Sequence, residues 1–165
     1  MRYVMRQKLL SLGDDFTIKD DEGRDVFYVD GKVLSLGDKL IFKDGQGNEV
    51  ARVTERLLSI GGTWEVSRDG RPYATVKKSL FSILHCKFTV DVPGPDDLEA
   101  RGNLLDHEYT LTRDGQVVAE VSKKWFSWTD SYGVEVAEGE DDVLILACAV
   151  VIDMACHKDE KDHDH

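Results

Sequence analysis

Apolar and polar residues alternate along most of this chain, and the alternation comes in units. Phe16-Thr17-Ile18 runs into Asp20-Asp21-Glu22-Gly23 and on to Val26-Phe27-Tyr28-Val29. Leu40-Ile41-Phe42 runs into Asp44-Gly45-Gln46-Gly47 and on to Val50-Ala51-Arg52-Val53. Trp64-Glu65-Val66 turns at Asp69-Gly70 into Tyr73–Lys78, and Tyr109-Thr110-Leu111 turns at Asp114-Gly115 into Val118–Lys124. A period of two on both sides of an Asp-Gly or Asp-x-x-Gly turn predicts a β-hairpin. The first three units start 24 residues apart, and the fourth starts 45 residues after the third. That interval holds one divergent hairpin, Cys86–Val92 and Leu98–Leu105, around a Pro93-Gly94-Pro95 loop that cannot lie in a central strand. Tyr3–Gln7 supplies an opening strand and Ser131–Val136 a closing one. The expectation is about twelve antiparallel strands, each with one wet face and one buried face.

The pattern then changes. Val143–Cys156 is apolar on every side, preceded by acidic residues and followed by His157-Lys158. It predicts a helix over 142–155, with Asp141 or Asp142 as N-cap and acidic charge at the positive end of the helix dipole. A helix without a polar face is buried all round. Its 14 residues span about 21 Å at 1.5 Å each, short of the roughly 20 residues that cross a bilayer. Twelve strands leave awkward edges unless the sheet closes, and a barrel that wide is not filled by its own side chains. The helix is therefore expected as the plug. The predicted architecture is mainly β: one closed antiparallel barrel over residues 1–156 around a central helix, then a charged tail over 157–165.

Charge narrows the function. The formal net charge is −11, which argues against non-specific nucleic-acid binding, because that needs a basic footprint. Cys86, Cys148 and Cys156 cannot all pair, and two of them lie in the apolar helix, where a thiol acts as a small hydrophobe. Reduced thiols and an N-terminus without an apolar signal region predict a cytoplasmic protein, either free or peripheral to a membrane.

Several stretches carry a resemblance to a known family. They are Arg6-Gln7-Lys8, Gly13-Asp14-Asp15-Phe16-Thr17-Ile18, Val29-Asp30-Gly31-Lys32, Ala119-Glu120-Val121-Ser122-Lys123-Lys124-Trp125-Phe126-Ser127, Asp130-Ser131-Tyr132-Gly133-Val134 and Val151-Ile152-Asp153. With the terminal helix, the chain resembles the LURP-one-related branch of the tubby C-terminal-like superfamily, which has the phospholipid scramblases as relatives. The resemblance implies a twelve-stranded barrel around a central helix and no known enzymatic reaction. Tubby proteins bind phosphoinositide head groups through basic residues, so the analogy points to an anionic lipid or membrane surface as partner.

The basic residues that fit such a role are Lys77, Lys78, Lys123 and Lys124, which end equivalent repeats, with Arg52 and Arg56 near the corresponding place in the second repeat. Converging on one rim, they make a focused anion site on an acidic protein. The competing reading is that they solubilise and blunt strand ends. Trp125-Phe126-Ser127-Trp128 suits either a membrane interface or, as the sequence favours, closure of a barrel end against the helix. Asp153 is a carboxylate inside the apolar run, expected to pair with His157 at i+4 or with a strand Lys or Arg. The histidines His85, His107, His157, His163 and His165 show no metal-ligand spacing, and no nucleophile or phosphate-loop motif is present. No catalytic residue, metal or cofactor is expected. The chain reads as a non-enzymatic module for anionic ligands or phospholipid head groups, or alternatively as a protein-interaction or structural barrel with no small ligand.

Overall fold

The structure is a computed structural model, and it describes residues 1–6, 16–33, 38–56, 62–79, 87–92, 97–104, 106–125 and 131–163. Gly13-Asp14-Asp15, His85, Cys86, the Pro93-Gly94-Pro95 loop, Phe126-Ser127-Trp128 and the side chains beyond Cys156 lie outside the described residues.

The described residues form twelve strands and one helix. The strands are β1 (Arg2–Arg6), β2 (Phe16–Asp20), β3 (Asp25–Val33), β4 (Asp38–Lys43), β5 (Glu49–Glu55) and β6 (Thr63–Arg68), followed by β7 (Arg71–Ser79), β8 (Lys87–Asp91), β9 (Leu98–Asn103), β10 (Glu108–Arg113), β11 (Gln116–Ser122) and β12 (Ser131–Val136). Each pairs antiparallel with its sequence neighbours, and β1 pairs with both β2 and β12, which closes the barrel. Closure is what the alternation predicts, since it leaves no strand edge exposed.

The turn chemistry explains the hairpins. Asp69-Gly70 and Asp114-Gly115 take positive φ at both residues, the conformation that matches the twist of a two-residue hairpin. The longer turns use an aspartate side chain instead. Asp20 Oδ1 accepts from the amides of Glu22 and Arg24, and Asp44 Oδ1 from those of Gln46 and Asn48. The hairpins of β2–β3, β4–β5, β6–β7 and β10–β11 each shift register near the turn, at Ile18/Lys19, Phe42/Lys43, Val66/Ser67 and Leu111/Thr112. A bulge raises local twist, and one per hairpin helps curl the sheet.

These turn aspartates make an acid-sensitivity prediction. Backbone amides, first that of Arg24 for Asp20 and that of Asn48 for Asp44, hold both carboxyls below their ordinary pKa. Their stabilisation is complete above the unfolded-chain value and is lost as pH falls through the lower folded value. Asp20→Asn with Asp44→Asn is therefore expected to lower the urea midpoint at pH 7. The same variant should lose less than the parent does between about pH 4 and pH 2. Parallel acid profiles for the two proteins would show that these turns do not carry the effect.

The helix α1 (Asp142–His163) passes through the barrel. Leu144 to Ile152 are all buried and join the inward residues of the wall, among them Ile18, Phe42, Trp64, Val76, Phe88 and Leu111, in one core. Asp141 is the N-cap: its Oδ1 accepts from the Leu144 amide at 3.2 Å. The helix runs on past the expected end at Ala155 to His163. Lys158-Asp159-Glu160-Lys161 contains no Gly or Pro to stop it, and Lys and Glu are good helix formers.

Strand direction gives the barrel two distinct ends. The tight turns after β2, β4, β6 and β10 lie with the helix N-terminus at one end, the turn end. The ends of β1, β3, β5, β7, β9 and β11 lie at the other, the loop end, where Asp153 also lies.

Candidate functional site

Because β5, β7 and β11 run in the same direction, the residues that finish them arrive at the loop end. Arg56 follows β5, Lys77 and Lys78 finish β7, and Lys123 and Lys124 follow β11. Arg52 is set back, opposite Ile41 and Ser67 in the middle of β5. The residues share a rim without forming one cluster. Neighbouring strands are about 4.8 Å apart, so β5 and β7 are separated by roughly 10 Å of wall and β7 and β11 by roughly 19 Å.

Their surroundings differ. Arg52 pairs with Glu49 at 2.6 Å and Arg56 with Glu65 at 2.6 Å. Lys77 is exposed on the outer face, whereas Lys78 takes the inward phase of Ala74 and Val76 and is half-buried. The Lys123 amide donates to Glu108 Oε1 at 3.0 Å and the Lys124 amide to Ser122 Oγ at 3.1 Å, which pins the turn that presents both side chains. Lys124 is exposed.

The same end holds a dry polar cluster. Asp153 is 2% exposed and His107, in the turn between β9 and β10, is 1% exposed. His107 Nε2 lies 2.6 Å from Asp153 Oδ1, and the Tyr132 hydroxyl donates to Asp153 Oδ2 at 3.1 Å. The His107 and Tyr132 rings stack with centroids 4.3 Å apart. Burial, and then the Asp153 charge, push the Tyr132 hydroxyl well above its ordinary pKa, so it stays protonated and donating. Asp153 was expected to pair with His157 or with a strand Lys or Arg; its described partners include a turn histidine and a strand tyrosine, and the His157 side chain lies outside the described residues. A short histidine and a phenol reach a buried carboxyl without carrying a lysine's strongly hydrated charge into the core.

At the turn end a charged collar grips the helix start. Arg68 binds Asp141 through both terminal nitrogens, at 2.5 and 2.9 Å, and the Tyr73 hydroxyl donates to the same carboxylate at 3.1 Å. Arg113 Nη1 donates to both oxygens of Glu140 at 2.8 and 2.9 Å, and the Tyr3 hydroxyl donates to Asp142. Burial, together with the neighbouring Asp142, pushes the Tyr3 hydroxyl far above its ordinary pKa.

Trp125 lies under the Arg2 guanidinium, 4.4 Å from ring centroid to carbon, and Arg2 pairs with Glu135 on the outer wall. This places Trp125 beside Arg2 on the outer wall, while the rest of the aromatic cluster, Phe126-Ser127-Trp128, lies outside the described residues. Among the described residues no group of three or more His, Cys, Asp or Glu side chains is arranged to hold a metal ion. None of the described helices is long and apolar enough to cross a membrane.

The family model described as LURP-one-related matches residues 1–153. The chain belongs to the LURP-one-related family. The uncharacterized protein YxjI of Bacillus subtilis (strain 168) is 36% identical over 156 residues, which cover 94% of each chain. An X-ray structure of an Arabidopsis thaliana protein is similar with a TM-score of 0.68 and 23% identity, over 92% of this chain and 90% of that one. At that identity the likeness speaks for the fold. The LURP-one-related barrel and its single C-terminal helix are thus supported from sequence and from shape together.

Proposed function

We propose that this LURP-one-related barrel is a non-catalytic binding module that meets an anionic, phosphate-bearing surface, such as a phospholipid membrane, with its loop end. The observation that carries this reading is directional: Arg56, Lys77, Lys78, Lys123 and Lys124 finish or follow co-directional strands, on a chain whose net charge is −11. Spacing favours an extended surface over a single small anion. The separations of roughly 10–19 Å along the wall exceed the ~8 Å Debye length at physiological ionic strength. Each group of basic residues therefore acts on its own phosphate, and their contributions add.

Liposome co-sedimentation tests this. Vesicles of phosphatidylcholine with and without phosphatidylserine or a phosphoinositide separate anionic attraction from general adsorption. A basic residue near an anionic membrane contributes about 1 kcal/mol. Lys77→Ala with Lys124→Ala, both exposed positions, is expected to weaken partitioning at low salt by roughly 30-fold and to flatten its salt dependence. A parent protein that ignores anionic vesicles would return the choice to the protein-interaction reading. The pairs of Arg52 and Arg56 with Glu49 and Glu65 reduce the pull of those two residues on an anionic surface relative to the lysines.

A further inference from the structure

An apolar helix in an apolar tube has a register problem. Hydrophobic burial is non-directional, so it rewards insertion without deciding how deep the helix sits or which way it is turned. From Leu144 to Ile152 every side chain of α1 is buried and apolar, so this stretch carries no polar mark of its own. Polar contacts stand only at its two ends, among the described residues. The collar of Arg68, Tyr73, Arg113 and Tyr3 holds Glu140, Asp141 and Asp142 at the turn end. His107 and Tyr132 hold Asp153 at the loop end.

The two ends differ in kind. The collar is half-buried: Arg68 and Asp141 are 29% and 27% exposed. Water can stand in for a lost partner there. The loop-end cluster is dry, and both Asp153 oxygens are engaged. A buried carboxylate that loses its donors has no water to turn to, so the cluster is either made or the segment leaves. That is the behaviour of a two-state element. Its donors also come from separate parts of the wall, the β9–β10 turn and the start of β12. His107 is held at φ 54°, a left-handed conformation uncommon for a residue with a side chain, and it aims the ring at the helix.

We propose that His107, Tyr132 and Asp153 form a latch that sets the register of the plug helix and holds its segment Asp153 to Cys156 inside the loop end of the barrel. Opening the latch frees the helix from Asp153 onward while the collar keeps its N-terminal half in place. The freed segment carries Met154 and Cys156, and it emerges at the end of the barrel that also carries Lys77, Lys78, Lys123 and Lys124. The latch thereby governs whether an apolar helix end is presented beside the basic residues. This holds whether or not those residues meet a membrane.

The helix carries its own reporters. Neither Cys156 nor Cys148 is in a disulfide, and both are fully buried, one beyond the latch and one between latch and collar. Burial pushes the Cys148 thiol up to about 12, so its native reactivity is low. The experiment is alkylation of the folded full-length chain with N-ethylmaleimide, resolved by tandem mass spectrometry so that each cysteine is read separately. In the parent both react slowly. Tyr132→Phe keeps the stacked ring and removes one donor, and it is expected to raise the Cys156 rate at least tenfold with Cys148 unchanged. His107→Ala should raise it further. Asp141→Asn, at the collar, should not change Cys156 selectively. The latch is overturned if both cysteines accelerate together in Tyr132→Phe, because the cluster then contributes only to global stability. It is equally overturned if Cys156 stays protected in that folded variant. Should His107→Ala fail to fold, Tyr132→Phe still decides.

Discussion

Leu146→Asp is expected to abolish the cooperative thermal melt of the whole chain. Leu146 is fully buried in the middle of α1, in the stretch between the collar and the latch. The new carboxylate would meet only apolar neighbours. An unpaired buried charge costs several kcal/mol even after relaxation, against a typical net stability of roughly 5–15 kcal/mol for a domain. The wall cannot survive by releasing the helix, because the inward faces of Ile18, Phe42, Trp64, Phe88 and Leu111 would then line a water-filled tube. Far-UV circular dichroism should show strand and helix signals lost together. Leu146→Met keeps nearly the same volume and should cost under about 1.5 kcal/mol. A soluble Leu146→Asp protein with parent-like strand signal and a cooperative melt would mean that the barrel stands without its plug.

The barrel was legible because its signals are local and repeated. Turn aspartates and period-two alternation are properties of a few neighbouring residues, so Asp69-Gly70 and Asp114-Gly115 announce their hairpins without tertiary information. The helix was legible for the opposite reason: a run with no polar face has only one kind of place to go. Its extension to His163 was not, because a charged stretch of good helix formers reads equally well as a tail. The bulges at equivalent places in four hairpins were also hidden, since one extra residue near a turn does not disturb the alternation enough to be seen.

The polar constellations were harder. Direction along the chain placed the lysine pairs at one end, but their separation around the wall depends on strand order, which a linear reading does not supply. Asp153 stood out as a charge in an apolar run, yet its described partners His107 and Tyr132 lie 46 and 21 positions away in the chain. His107 carried no mark of its own among five histidines. A usable signal was present: a histidine following Asp106 in a short turn before a strand is a plausible left-handed residue. The collar was missed because Arg68 and Arg113 each stand beside an Asp-Gly turn and read as turn flanks. The repeat that makes the two hairpins equivalent is what brings both arginines to the helix start.

Gly102→Val is expected to lower the melting temperature of the barrel markedly, although it lies in the wall and leaves the plug untouched. Gly102 sits in β9 opposite Tyr109 with φ +125°, a backbone conformation that residues with side chains rarely adopt. A Cβ placed there would lie 2.7 Å from the Glu108 carbonyl oxygen and 2.9 Å from the Tyr109 Cα, both backbone atoms that no side-chain rotation moves aside. Backbone strain of this kind costs about 1–3 kcal/mol, and forced overpacking about 1–3 kcal/mol more. At roughly 2–4 °C per kcal/mol for a domain of this size, the melting temperature should fall by on the order of 10 °C. Gly45→Ala is the matched control. Its Cβ would meet nothing within 4 Å, so its effect should stay within about 0.5 kcal/mol. The position also bears on the latch, because the β9–β10 pairing that Gly102 permits leads directly into the turn carrying His107. Gly102→Val should therefore raise Cys156 alkylation more than its global destabilisation alone accounts for, read against Cys148 in the same sample. A melting temperature equal to the parent's would mean that β9 and β10 do not pack at this spacing, and the placement of His107 against Asp153 would lose its support.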